Sequence, residues 1–177
     1  PEHPYPAAYD DALAVYRWLT EHAGQWGGDP QRIILHGESS GATLAASVCL
    51  EAREGGVPQP LMQVLAEPLL DHEAETPSLN EFRYMLAKRD IRFGSRQYFG
   101  DARPPRRASP LRVETLAGVA PAYVITAGLD PLRDEGIAYV ARLRSEGVPV
   151  THRHHDGQIH GFFSTFPQIL QARIAFQ

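Results

Sequence analysis

Residues 33–46 read Ile33-Ile34-Leu35-His36-Gly37-Glu38-Ser39-Ser40-Gly41-Ala42-Thr43-Leu44-Ala45-Ala46, and this stretch decides the fold. An apolar run is broken by the motif Gly-x-Ser-x-Gly and is followed at once by an alanine-rich segment. The pattern predicts a strand, a tight turn and a helix, with Ser39 on the turn. A serine in that position has strained backbone geometry, so its neighbours need almost no side chain. Gly37 and Gly41 meet this need.

On such a turn, Ser39 is predicted to be an exposed nucleophile, with Glu38 completing the turn before it. The backbone N–H of Ser40, in the first turn of the helix, is expected to point towards a carbonyl oxygen that becomes negatively charged. Gly-x-Ser-x-Gly is short enough to occur by chance, so the alternative is a glycine-rich loop without chemistry. The strand-like run before the motif and the helical segment after it favour the nucleophile.

The composition is that of an ordinary globular protein. The chain has 177 residues, of which 43% are hydrophobic and 21% are charged, so one domain over residues 1–177 is predicted. A formal net charge of -4 gives no electrostatic reason to expect nucleic acid as a partner. The apolar runs are shorter than the ~18 residues that span a bilayer. Cys49, the single cysteine, is interpreted as a buried apolar residue and not as a reactive thiol.

Strand and helix patterns alternate along the chain. Helices are predicted over residues 7–23, 40–53 and 132–146 and from about residue 167, and strands over residues 33–38, 61–70, 122–127 and 148–155. Residues 72–109, which are polar and rich in Arg and Pro, are expected to form an irregular insertion of short helices and loops. The alternation predicts an α/β fold, with helices on both faces of a parallel sheet.

A serine nucleophile needs a base, and the base needs an acid that orients it; His160 and Asp130 are the candidates. Functional residues of parallel sheets collect where strands end, and Ser39 and Asp130 each follow a predicted strand closely. Asp134 and Glu135 are alternative acids, but they lie inside the predicted helix, one turn farther on. His160 lies near Gly157 and Gly161, in what is predicted to be a flexible loop that can reach over the sheet.

Three more histidines, His152, His154 and His155, lie on the last predicted strand, and the first two share a face. A metal site would need Asp, Glu or Cys partners at ligand spacing, and the sequence offers no clear set. No metal and no other cofactor is therefore predicted.

Several stretches together resemble the hormone-sensitive-lipase-like family of α/β-hydrolase esterases. They cover nearly the whole chain in family order: residues 1–8 (Pro-Glu-His-Pro-Tyr-Pro-Ala-Ala), 28–30 (Gly-Asp-Pro), 37–41 (Gly-Glu-Ser-Ser-Gly), 109–111 (Ser-Pro-Leu), 130–136 (Asp-Pro-Leu-Arg-Asp-Glu-Gly) and 160–162 (His-Gly-Phe). The resemblance implies an α/β-hydrolase fold, Ser39 as nucleophile, Ser40 as an oxyanion-hole amide, Asp130 as acid and His160 as base.

The chain departs from the family pattern in two respects. The family's nucleophile turn usually reads Gly-Asp-Ser-Ala-Gly-Gly, whereas Glu38, Ser40 and Ala42 stand in this sequence. The family's His-Gly-Gly-Gly segment, which supplies further oxyanion-hole amides, is expected upstream of Pro1. The chain is therefore interpreted as the C-terminal part of a longer enzyme, and alone it is expected to be weakly active or inactive.

The function implied by the resemblance is that of a serine carboxylesterase acting on short- to medium-chain acyl esters through an acyl-enzyme. Two alternatives stay open: a non-catalytic small-molecule-binding protein on the same fold, and an amidase or peptidase with the same triad. The expected partner is a small-molecule ester, with a homodimer as an open alternative; neither nucleic acid nor an integral membrane segment is expected. The expected location is the cytoplasm.

Overall fold

The computed structural model describes residues 2–162, and its framework is a four-stranded parallel sheet. Strands β1 (Ile34–Glu38), β2 (Met62–Ala66), β3 (Ala122–Leu129) and β4 (Val150–Ile159) lie side by side in sequence order. Each strand pairs in parallel with the next, so all four end at the same edge of the sheet. The predicted α/β architecture is confirmed.

Helices connect the strands and precede the first one. The helices are α1 (Ala7–His22), α2 (Ser40–Glu54), α3 (Pro77–Glu81), α4 (Lys88–Phe99) and α5 (Arg133–Ser145), with short 3-10 turns at Ala23–Trp26, Arg106–Ala108 and Pro110–Arg112. Residues 72–109 thus contain two helices, of which α3 is only five residues long. None of the helices within residues 2–162 is both long and apolar enough to cross a membrane.

The main core lies between the sheet and helices α2 and α5. Ala46 and Cys49 from α2 and Tyr139 and Leu143 from α5 are fully buried there against strand residues such as Leu65. Both helices lie on the same face because consecutive parallel strands are joined by crossovers of one hand. On the opposite face a smaller cluster forms from strand residues and Phe162. Cys49 is buried, as predicted.

Two predicted strand boundaries are wrong. The run over residues 61–70 was expected to be one strand, but β2 ends at Ala66 because Glu67 turns the backbone with φ 46° and Pro68 cannot donate a ladder hydrogen bond. β4 continues to Ile159, so residues 156–159 belong to the strand and not to a flexible loop. The helix predicted from about residue 167 lies outside the described residues.

Candidate active site

Ser39 occupies a strained turn between β1 and α2. Its φ is 56° and its ψ is -119°, in a region that residues other than glycine rarely adopt. The backbone is held there from two sides. The N–H of Ser39 donates to the carbonyl of Ala66 at 2.9 Å, and its carbonyl accepts from the N–H of Leu69 at 3.2 Å. Strain of this kind persists only where the surroundings impose it, and it is concentrated at functional sites.

The two glycines of the motif have different surroundings. A Cβ on Gly37 would lie 2.2 Å from the carbonyl oxygen of Gly41, so no side chain fits at position 37. A Cβ on Gly41 would have no atom within 4 Å among the described residues outside its two chain neighbours and the adjacent backbone of α2. Within the described residues, a steric requirement for glycine is therefore visible at position 37 and not at position 41.

Ser39, His160 and Asp130 form a continuous chain of hydrogen bonds. The Nδ1 atom of His160 lies 3.0 Å from Oδ2 of Asp130, and its Nε2 atom lies 3.0 Å from Oγ of Ser39. A carboxylate can only accept, so Nδ1 carries the proton and Nε2 is left to accept from the serine hydroxyl. This tautomer is the one that a base for Ser39 needs.

Asp130 is completely buried and its carboxylate is oriented by the backbone. Its Oδ1 atom accepts from the N–H of Leu132 at 2.9 Å, which leaves Oδ2 for His160. The alternative acids have other partners. Asp134 accepts from the N–H of Ser78 at 2.8 Å, and Glu135 accepts from the N–H of Leu70 at 2.7 Å.

An irregularity between β3 and β4 places His160 opposite Asp130. Between the pairs Ala127–His155 and Leu129–Ile159, β4 contains two more residues than β3. Such a bulge bends a strand and redirects the side chains that follow it. Gly128 lies beside the irregularity, and a Cβ there would lie 2.0 Å from the carbonyl oxygen of Asp156. His160 thus lies on the turn directly after β4, and the loop predicted before it is instead part of that strand.

The environment of His160 favours its protonated form. Burial lowers the pKa of His160, but the hydrogen bond and the negative charge of Asp130 outweigh burial, with further contributions from Glu67 and Glu38. The net result is a pKa above the usual value of 6.5. A more basic imidazole takes the serine proton more readily.

Glu67 lies in the same site and is not among the residues predicted from the sequence. It is 1% exposed, and its Oε2 atom accepts from the N–H of Gly161 at 2.7 Å. The signal that points to it is a single charged residue in the otherwise uncharged run of residues 61–70. Charged residues are almost never fully buried without a specific reason.

Among the described residues, one group of possible metal ligands comes together, formed by Glu67, Asp130 and His160 within 4.8 Å of one another. Three of the four carboxylate oxygens in this group already accept hydrogen bonds, from Leu132, His160 and Gly161.

The other histidines of β4 lie on its two faces. His152 and His154 both contact the hydroxyl of Thr126 at 2.8 Å, so they share a face as predicted. His155 lies on the other side, 5.3 Å from the ring of Phe162.

A cavity of about 430 Å³ opens beside Ser39. Leu44, Leu69, Ile91 and Leu132 contribute apolar surface to it. A polar pair, His72 and Ser95, lines another part, with Nδ1 of His72 2.8 Å from Oγ of Ser95. Burial and the nearby Arg92 lower the pKa of His72 to about 4, so this imidazole is neutral at physiological pH.

Comparison with known proteins identifies relatives of the chain. Carboxylic ester hydrolase LipN of Mycobacterium tuberculosis is 43% identical over 177 aligned positions, which cover 94% of this chain and 47% of that protein. Esterase LipI of the same organism is 42% identical over 167 positions, covering 92% of this chain and 52% of that protein. The chain therefore spans about half the length of these relatives.

Solved structures agree with the sequence comparison. The crystal structure of esterase LipW from Mycobacterium marinum matches with a TM-score of 0.93 at 34% identity, covering 99% of this chain and 56% of that one. A thermostable esterase from Pseudomonas putida matches with a TM-score of 0.93 at 37% identity, covering 99% and 57%. The model of the alpha/beta hydrolase fold family matches residues 1–164. The chain therefore belongs to the α/β-hydrolase fold family, in its hormone-sensitive-lipase-like group.

Proposed function

We propose that this chain carries the catalytic triad of a serine carboxylesterase, with Ser39 as nucleophile, His160 as base and Asp130 as acid. The observation that carries the proposal is the unbroken hydrogen-bond chain from Oγ of Ser39 through His160 to Asp130, with both distances at 3.0 Å. The names of LipN and LipI, a carboxylic ester hydrolase and an esterase, support the same activity.

In the first half of the reaction, Oγ of Ser39 attacks the ester carbonyl carbon while its proton moves to Nε2 of His160. The buried carboxylate of Asp130 stabilises the imidazolium that results. The backbone N–H of Ser40, the first residue of α2, donates to the oxyanion of the tetrahedral intermediate, and the helix dipole adds to this stabilisation. When the intermediate collapses, Nε2 gives its proton to the departing alkoxide, and an acyl-Ser39 ester remains.

In the second half, His160 takes a proton from a water molecule as that water attacks the acyl carbonyl carbon. Collapse of the second intermediate returns the proton to Oγ of Ser39 and releases the carboxylic acid. The cavity beside Ser39, with a volume of about 430 Å³, is the proposed site for the apolar part of the ester. Small-molecule sites start at about 300 Å³, which supports short- to medium-chain acyl groups as the substrate class.

The test uses the intact protein with p-nitrophenyl acetate and the matching acetanilide, because fold and triad do not fix the leaving group. We expect rapid ester hydrolysis, slow or absent anilide hydrolysis, no change on addition of EDTA, and fluorophosphonate labelling of Ser39. Faster anilide hydrolysis would identify an amidase, and binding of the ester without turnover would identify a binding protein. Labelling of a different serine would contradict the nucleophile assignment.

The midpoint of the acid limb in the pH profile of kcat/KM is expected above the ordinary pKa of histidine. His160 must be neutral to act as base, and its pKa is raised above 6.5, so kcat/KM falls with a midpoint above that value as the pH decreases. The variant Asp130→Asn removes the largest cause of the increase, so its residual activity falls at a lower pH. Rates measured between about pH 5 and 9 decide this, and a wild-type midpoint at or below 6.5 would contradict it.

A further inference from the structure

Glu67 is placed at a site where it destabilises the fold. It follows β2 directly and has φ 46°, in the left-handed region, although its side chain is long. The side chain is 1% exposed, and Oε1 has no hydrogen-bond partner among the described residues. Burial of a carboxylate and strain of the backbone both disfavour the folded state. Such a combination is typical of residues kept for function.

The contacts of Glu67 connect it to the residue that follows His160. Oε2 accepts from the N–H of Gly161 at 2.7 Å, and Gly161 has φ 79°. The backbone of Glu67 is itself fixed, because its N–H donates to the carbonyl of Ile125 in β3 at 2.8 Å. The turn that carries His160 is therefore held at two points: Asp130 binds the imidazole, and Glu67 binds the next amide.

We propose that Glu67 is a positioning residue for His160, holding the histidine-bearing turn through Gly161 and placing a second carboxyl group beside the imidazole. The proposal rests on the triad assigned above. Glu67 touches neither Ser39 nor Asp130 through a hydrogen bond, so it acts through the position and the charge of His160.

The charge of Glu67 depends on pH near neutrality. The pKa of Glu67 is raised to about 8, and burial is the largest cause. The charge of His160 and the amide of Gly161 oppose this increase, whereas the negative charges of Asp130 and Glu38 add to it. Below this value the carboxyl group is mainly neutral and only positions the turn. Above it, the carboxylate adds negative charge beside the imidazolium that forms during the reaction, and stabilises that imidazolium.

Two variants separate these contributions. Glu67→Gln keeps an oxygen that accepts from Gly161 but stays neutral, so it copies the protonated wild type. We expect its kcat to approach the wild-type value below about pH 7 and to lack the additional increase in kcat that the wild type shows near pH 8. Glu67→Leu removes the acceptor as well. Its kcat should fall on the order of 10²-fold with little change in KM, because the base is displaced.

Thermal unfolding provides a second readout. The folded state binds the Glu67 proton more tightly than the unfolded chain, so the stabilisation present below about pH 4.5 is lost as the pH rises to about 8. Glu67→Gln has no such loss. The difference in Tm between this variant and the wild type should therefore increase as the pH rises from about 4.5 to about 8.

The matched control is Glu135→Gln, which changes another buried glutamate; its carboxyl group accepts from the N–H of Leu70. The control should keep the wild-type shape of the kcat profile.

The outcomes are distinct. A wild type that hydrolyses p-nitrophenyl acetate and is labelled at Ser39, combined with the losses described above, supports the proposal. Two results would overturn it when the wild type is active and labelled. One is a Glu67→Leu variant with full kcat, and the other is a pH profile of kcat for Glu67→Gln that matches the wild type up to about pH 9. If Glu67→Leu does not fold, the Glu67→Gln profile decides alone. A wild type without esterase activity or labelling contradicts the triad assignment instead.

Discussion

Replacement of Ser39 by alanine in the intact protein is expected to lower kcat for p-nitrophenyl acetate by about 10⁴- to 10⁶-fold. The reason is that the substitution removes Oγ, the proposed attacking atom, which lies 3.0 Å from Nε2 of His160. His160→Ala should cause a loss of similar size. The double variant should lose little more, because the members of a triad act as a unit.

Steady-state rates of the purified variants, compared at equal folded concentration, provide the measurement. Ser145→Ala, which changes an exposed serine near the end of α5, is the matched control and should keep the wild-type rate. The acid assignment is tested by a second pair, since Asp130 contacts His160 and Asp134 contacts Ser78. Greater damage from Asp134→Asn than from Asp130→Asn would show that the wrong acid has been assigned.

Gly37→Ala is expected to have the second large effect, this time on folding. The new Cβ would lie 2.2 Å from the carbonyl oxygen of Gly41 and 2.6 Å from the backbone nitrogen of Ala42, and neither backbone atom can move without opening the turn. We expect a destabilisation of more than about 3 kcal/mol. For a domain of this size this is a decrease in Tm on the order of 10 °C, or no soluble protein.

Gly41→Ala is the control for this experiment. Both glycines belong to the motif, but the structure shows a steric clash for a side chain only at position 37. Outside its two chain neighbours and the adjacent backbone of α2, no atom of the described residues lies within 4 Å of a Cβ at position 41. Alanine is also the better helix former, so Tm should stay the same or increase slightly. The measurement is the Tm of both variants. An equal decrease in Tm would contradict the predicted difference between positions 37 and 41.

The sequence was sufficient to place α2 and α5 within one residue of their observed ends. The alanine-rich segment after the nucleophile turn, closed by Gly55, indicated α2, and apolar residues on one side of the segment before Gly147 indicated α5. Ser39 was selected by the Gly-x-Ser-x-Gly motif, and Asp130 and His160 by their order in the chain and by the resemblance to the esterase family. The ends of parallel strands meet at one edge, which is where the structure places these three residues.

The parts that could not be predicted depend on contacts between distant residues. Asp156 and Gly157 have the composition of a turn, yet they lie in β4, because Gly128 lets the two strands approach at the irregularity. The apolar run after Met62 suggested a longer strand, but Leu69 and Leu70 are buried against helices instead. Glu67 was missed because its contact in the site, with the N–H of Gly161, joins residues that are 94 positions apart.

The order of the strands also determines when the site can form during synthesis. His160 lies 121 residues after Ser39 in the chain, on the turn after β4. At about 5–20 residues per second, roughly 6–24 s pass between the synthesis of the nucleophile and that of its base. During this interval the nascent chain has a serine with no partner to activate it. The proposed triad can assemble only when β4, the last of the described strands to leave the ribosome, joins the sheet.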